Sequence, residues 1–113
     1  MAAMQEEAPS QCKELLNAGH QYLDVRSEQE FERGHADVAK NIPFMFMRDG
    51  GMVPNQAFLP QVRTAYPDKT APIVVGCQSG KRSSMAIQAM QTDGYTGLVN
   101  MAGGYAAWSA EGL

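Results

Sequence analysis

Residues Ile73 to Arg82 read Ile-Val-Val-Gly-Cys-Gln-Ser-Gly-Lys-Arg, and the helical pattern Ser83 to Thr92 comes next. An apolar, β-branched run bounded by turns fits a central parallel strand covered on both faces. The layout presents Cys77 to a helix N-terminus. The N–H groups that a helix start leaves unpaired, with the positive end of its dipole, favour an anion placed before them. A thiolate is such an anion. Its ordinary pKa of about 8.5 falls in that setting, with Lys81 and Arg82 adjacent, so Cys77 is expected to be largely ionised near neutral pH. Gly80, Lys81 and Arg82 all serve anion binding, which favours a nucleophilic cysteine in an oxyanion cradle over a buried strand-end cysteine.

Outward from this segment the chain alternates strand and helix signals. Ser10 is placed to cap a short helix carrying Cys12, Leu15 and Leu16 on one stripe, with Gly19 at its stop. That stripe gives Cys12 a core role ahead of a resolving-thiol or disulfide role with Cys77. Tyr22 to Val25 reads as a strand, and Ser27-Glu28-Gln29-Glu30 has the capping-box form that opens a helix ending at Gly34. Asn41 to Phe44 is a further strand, and Met47 to Asn55 reads as loop from Gly50, Gly51 and Pro54. A helix bearing Val62 and Tyr66 starts or kinks at Pro60. The helix after Cys77 is expected to turn Met85, Ala86, Ala89 and Met90 inward and to stop near Gly94. Leu98 to Met101 supplies a last strand, followed by Gly103-Gly104 and a helix over Tyr105 to Ala110. The alternation implies an α/β domain with a mainly parallel sheet. Ligands of such sheets sit at the carboxyl ends of strands, where Cys77 lies.

The 113 residues, 44% of them hydrophobic, suffice for one core and are too few for two. Residues 1–9 are expected to be a flexible N-terminal segment, and 10–113 the domain. A net charge of -3 and no basic stripe beyond Lys81 and Arg82 argue against a nucleic-acid partner. No apolar stretch approaches the roughly 20 residues of a membrane span, and Met1 to Pro9 lacks a signal peptide's apolar core, so a soluble protein without a membrane partner is expected. Two widely spaced cysteines do not form a secreted disulfide framework. The expected compartment is the cytoplasm, or the plastid stroma if a transit peptide has been removed.

The loop Cys77 to Arg82 resembles the six-residue active-site loop of single-domain rhodaneses, sulfurtransferases that carry sulfane sulfur as a cysteine persulfide. Tyr22-Leu23-Asp24-Val25-Arg26, followed by Glu30-Phe31 and Gly34-His35, is similar to that family's first signature, and Asn41-Ile42-Pro43 to the strand after it. Gly103-Gly104-Tyr105 with Trp108, Glu111 and Gly112 resembles its C-terminal signature. These motifs cover residues 21–112, with Ala36-Asp37-Val38 departing from a more apolar Ile-Pro-Gly. The Gln-Ser-Gly-Lys-Arg-Ser filling and the Gly50-Gly51-Met52 insertion are most similar to plant and algal plastid members. The resemblance implies a rhodanese-like, five-stranded, mainly parallel sheet flanked by helices. It also implies Cys77 as the catalytic residue, with Gln78, Ser79, Gly80, Lys81 and Arg82 around the substrate.

Asp24 and Arg26 are expected to support the loop. Asp24 ends a strand where a charge-assisted bond to Arg82 is expected, which the resemblance also suggests. Arg26 has two readings, a substrate contact or, with more weight, a pair with Glu30 or Glu32. His35 reads as structural rather than as a base or metal ligand. The first function is sulfur transfer from thiosulfate through a Cys77 persulfide to cyanide or a thiol acceptor, a protein thiol such as thioredoxin included, with no metal or organic cofactor. Lys81 and Arg82 favour the thiosulfate dianion over mercaptopyruvate. The second is a phosphatase or arsenate reductase, whose Cys-to-Arg loops are one residue longer than the Gln78 to Lys81 spacer here. The third is a sulfur-carrier or protein-interaction module, and a non-catalytic module is expected to have lost the cysteine.

Overall fold

β6 (Ile73–Gly76) is buried at all four residues, as its β-branched run requires, and everything else is arranged around it. In the computed structural model, which describes residues 4–113, the other elements follow in chain order. They are β1 (Gln5–Glu7), α1 (Pro9–Asn17), β2 (Gln21–Asp24), α2 (Glu28–Arg33), β3 (Ala39–Asn41), β4 (Met45–Arg48), β5 (Gly51–Pro54) and α3 (Phe58–Ala65), then, after β6, α4 (Lys81–Thr92), β7 (Leu98–Met101) and α5 (Gly104–Ala110). Five strands form one sheet in the order β1-β7-β6-β2-β3, with every neighbouring pair parallel. The expected five-stranded parallel sheet flanked by helices is therefore present.

Strand alternation assigns each side chain to one of two layers. Leu23, Val25, Ile73, Val75, Cys77 and Leu98 pack with Phe58 and Val62 of α3 and with Ala86, Ile87 and Met90 of α4. Tyr22, Val74, Val99 and Met101 face the other way, onto Cys12 of α1 and Trp108 of α5. Tyr22 and Trp108 meet edge to face, with centroids 5.7 Å apart. Each fully buried aliphatic side chain, Ile87 for example, stabilises the fold by about 1.5–3 kcal/mol. Cys12 sits in this second layer with its thiol pushed up to about 11, by burial and then by the Glu7 charge, so the core reading holds for it.

Several local expectations shift. Residues 5–7, expected in a flexible segment, form edge strand β1 on β7. Pro9 takes the first turn of α1 and Ala8 the cap position, so Ser10 lies inside the helix and caps nothing. The strand expected over Asn41 to Phe44 ends at Asn41. The inward face of α4 is Ser83, Ala86, Ile87 and Met90, and Met85 is exposed. The expected loop Met47 to Asn55 is largely a two-stranded antiparallel hairpin, β4 and β5, in a sheet of its own. Its turn is Asp49-Gly50, both with positive φ, the chemistry of a two-residue type I′ turn. Asn55 closes the hairpin base, donating from its side chain to the Pro43 carbonyl (2.8 Å) and from its backbone N–H to that of Phe44 (3.1 Å).

Candidate active site

Cys77 leaves the carboxyl end of β6 and is 1% exposed. Gly80 precedes α4 with φ 103°, a conformation glycine adopts freely, and its N–H donates to Cys77 Sγ at 3.0 Å. The Ser83 hydroxyl lies 3.4 Å from the same sulfur. Burial opposes ionisation of the Cys77 thiol, and hydrogen bonds from the Ser83 hydroxyl and from the Ser83, Ser79 and Gly80 N–H groups outweigh it, leaving the thiol more acidic than usual. The N–H groups of the helix start thus favour the thiolate as expected, and Glu30 first, then the Cys77 charge, help hold the Arg82 guanidinium protonated. The outer wall of the loop rests on α5, where the Tyr105 N–H donates to the Cys77 carbonyl (2.7 Å) and the Ala106 N–H to that of Gln78 (3.1 Å). A cavity of about 250 Å³ opens beside Gln78, lined also by Arg26, Glu30, Arg33, Gly34 and Tyr105.

The cation pairs are exchanged relative to expectation. Arg82 binds Glu30 through both oxygens, at 2.6 and 2.8 Å, and not Asp24. Arg26 binds Asp24 through Nε and Nη2, donates to the Gly34 carbonyl at 2.7 Å, and pairs with neither Glu30 nor Glu32. Sheet parity explains this. Asp24 alternates with Leu23 and so points with Tyr22 into the α1/α5 layer, while α4 and its Arg82 lie across the sheet. Arg26 stacks on the Tyr105 ring, 4.2 Å from its centroid, and its Nη1 lies 3.4 Å from Gln78 Oε1. Both pairs brace the loop, Arg26 from one side and Arg82 with Glu30 from the other. The Arg82 guanidinium, by hydrogen bond, holds the Glu30 carboxyl down at about 2.

A rhodanese-like domain model matches residues 8–111. The chain belongs to the rhodanese-like domain family. It is similar to Thiosulfate sulfurtransferase 18 of Arabidopsis thaliana, 50% identical over 101 residues that cover 88% of this chain and 74% of that one. It is similar also to Thiosulfate sulfurtransferase 16, chloroplastic, of the same plant, at 46% identity over 88% of this chain and 82% of that one. Other relatives are longer, and the chain spans about half of two of them, 55% and 56%. A rhodanese-like domain protein from Staphylococcus aureus shares the fold, with a TM-score of 0.73 at 24% identity over 93% of this chain and 91% of that one.

In the rhodanese-like domain the structure gathers Cys77 to Arg82 with Asp24 and Arg26 at one end of the sheet. Lys81 is exposed at the first turn of α4 and forms no ion pair among the described residues. His35 stacks on Phe31 with centroids 3.7 Å apart and hydrogen-bonds its carbonyl, which suits the structural reading. Sequence reasoning missed Ser83, Asn100 and Gly104. Ser83 was legible, since three residues beyond Gly80 on a helix start returns the side chain to the loop. Asn100, polar within an otherwise apolar strand, also carried a signal.

Proposed function

We propose that the protein is a sulfurtransferase that takes sulfane sulfur from thiosulfate onto Cys77 and passes it to cyanide or to a thiol. The observation that carries this reading is the Gly80 N–H, 3.0 Å from Cys77 Sγ, in a loop with only four residues between the cysteine and Arg82. The thiolate attacks the outer sulfur of thiosulfate, the S–S bond of the donor breaks, and sulfite leaves with the electron pair. The Cys77 persulfide anion is then attacked at its terminal sulfur, and the thiolate returns. The loop N–H groups stabilise the anionic states, with Gln78, Ser79 and Gly80 around the transferred sulfur. Lys81 attracts the dianion, and Arg82 holds the helix start through Glu30 rather than meeting substrate. The sulfurtransferase names of the relatives support this reading, and the short spacer disfavours a phosphatase or arsenate reductase, which encloses a tetrahedral oxyanion.

A protein thiol such as thioredoxin is a proposed acceptor. Among the described residues no helix is long and apolar enough to cross a membrane, and chloroplastic relatives support the plastid stroma as the compartment. Intact-mass measurement after thiosulfate exposure tests the chemistry. The wild type gains one sulfur atom, Cys12→Ser does so too, and Cys77→Ser gains none. A sulfur adduct retained in Cys77→Ser overturns the assignment.

A further inference from the structure

Asn100 is a buried amide in β7, and its surroundings fix which way it faces. Its Nδ2 donates to Glu6 Oε2 at 2.9 Å and lies 3.3 Å from the Gly80 carbonyl, which leaves Oδ1 to accept from the Ser83 hydroxyl at 2.6 Å. Glu6 reaches it because β1 and β7 pair in parallel with Glu6 opposite Asn100. Side chains opposite one another in such a ladder share a face of the sheet. Ser83 has one hydroxyl proton and three acceptors: Asn100 Oδ1, the Gly80 carbonyl at 3.1 Å and Cys77 Sγ at 3.4 Å.

We propose that Glu6, through Asn100, is a positioning residue that holds the Ser83 hydroxyl against Cys77, so that its single proton swings between the Asn100 oxygen and the cysteine sulfur as that sulfur gains and loses charge. The inference rests on Cys77 as the nucleophile. When Sγ is a thiolate the hydroxyl turns to it. When Sγ carries a second sulfur the negative charge moves outward to the terminal atom, the inner sulfur becomes a weak acceptor, and the proton returns to Asn100. Only the Cβ–Oγ bond of Ser83 rotates, and no covalent bond is made or broken. The charged groups around the loop are otherwise committed: Arg82 to Glu30 on α2, Arg26 to Asp24 on β2, with Lys81 turned to solvent. The relay adjusts the sulfur's environment without moving any of them, and it ties the nucleophile to the outermost strand of the sheet.

The test is the titration of Cys77, read from its Cβ carbon chemical shift against pH in the full chain without a sulfur donor. A failure here therefore leaves the mass test of sulfur transfer standing, and the reverse also holds. Ser83→Ala raises the midpoint by about one pH unit, the weight of one hydrogen bond to a charged acceptor. Glu6→Ala raises it by about half as much, although removing a carboxylate acts by Coulomb's law in the opposite direction. Glu6→Gln, which keeps an acceptor oxygen for Asn100 but loses the charge, returns the midpoint to the wild-type value or just below it. In the double variant Glu6→Ala/Ser83→Ala the shift equals that of Ser83→Ala alone. A midpoint unchanged or lowered in Glu6→Ala, no restoration by glutamine, or additive shifts in the double variant would overturn the proposal.

Discussion

Replacing Gly104 by alanine separates two kinds of damage that a glycine substitution causes. Gly104 has φ +60°, and a Cβ built there lies 2.3 Å from the Cys77 carbonyl oxygen and 2.6 Å from the Gln78 carbonyl carbon. Both are backbone atoms of the active-site loop, so relief requires the loop to withdraw by roughly 1 Å to reach ordinary contact distance. Withdrawal breaks the bonds from Tyr105 and Ala106 to that loop. Each lost bond costs about 1 kcal/mol, and the left-handed conformation about as much again. The expected destabilisation is about 3 kcal/mol, or a fall of roughly 10 °C in Tm. A misplacement of this size lowers sulfur-transfer turnover by ten- to a hundredfold. Gly112→Ala is the control, because its φ is +72° and nothing lies within 4 Å of the added methyl. It bears the conformational strain alone, about 1 kcal/mol, with turnover unchanged. Thermal unfolding and thiosulfate kinetics on both variants decide the matter. Equal stability losses, with Gly104→Ala retaining full turnover, would refute the claim that α5 sets the loop position.

Two further predictions concern charge. Glu30→Gln is expected to cost about 2 kcal/mol at pH 7. The Glu30 carboxyl is held well below its free value of 4.5, so its contribution is complete above that pH and is lost as pH falls toward about 2. Urea midpoints of wild type and variant should therefore converge across that window, and a constant gap would show that the pair with Arg82 is not its source. Lys81→Gln is expected to raise KM for thiosulfate about fivefold, less so at high salt and less for mercaptopyruvate. Equal effects on both donors would show that this charge does not select the substrate.

The legible parts of the chain are those whose constraint is local. β6, the loop after it and the start of α4 follow one another within 20 residues, and the capping box at Ser27 and Glu30 forms as its spacing demands. The hairpin was illegible because β4 and β5 lack the alternation of a half-buried strand, although Asp49-Gly50 carried a turn signal. The ion pairs were misassigned because charge alone does not state on which side of a sheet a carboxylate points. Counting parity from Tyr22 would have removed Asp24 from the reach of Arg82. The link from Glu6 to Asn100 joins residues 94 positions apart, and only the order of strands brings them together.

The Asn55 clasp beneath the hairpin sets its turn apart from the main sheet. Its two strands pair only with each other, its tip residues Asp49 and Gly50 are exposed, and the side chain and backbone of Asn55 rejoin the chain at Pro43 and Phe44 before α3 begins. Below the tip Asn55 also donates to Gln61 of α3, so a graft is best confined to the exposed turn itself, where loop-length changes are thermodynamically mild. For protein engineering, residues 49–50 are therefore a cargo site on a sulfur-handling scaffold, distant in topology from the strand that carries Cys77.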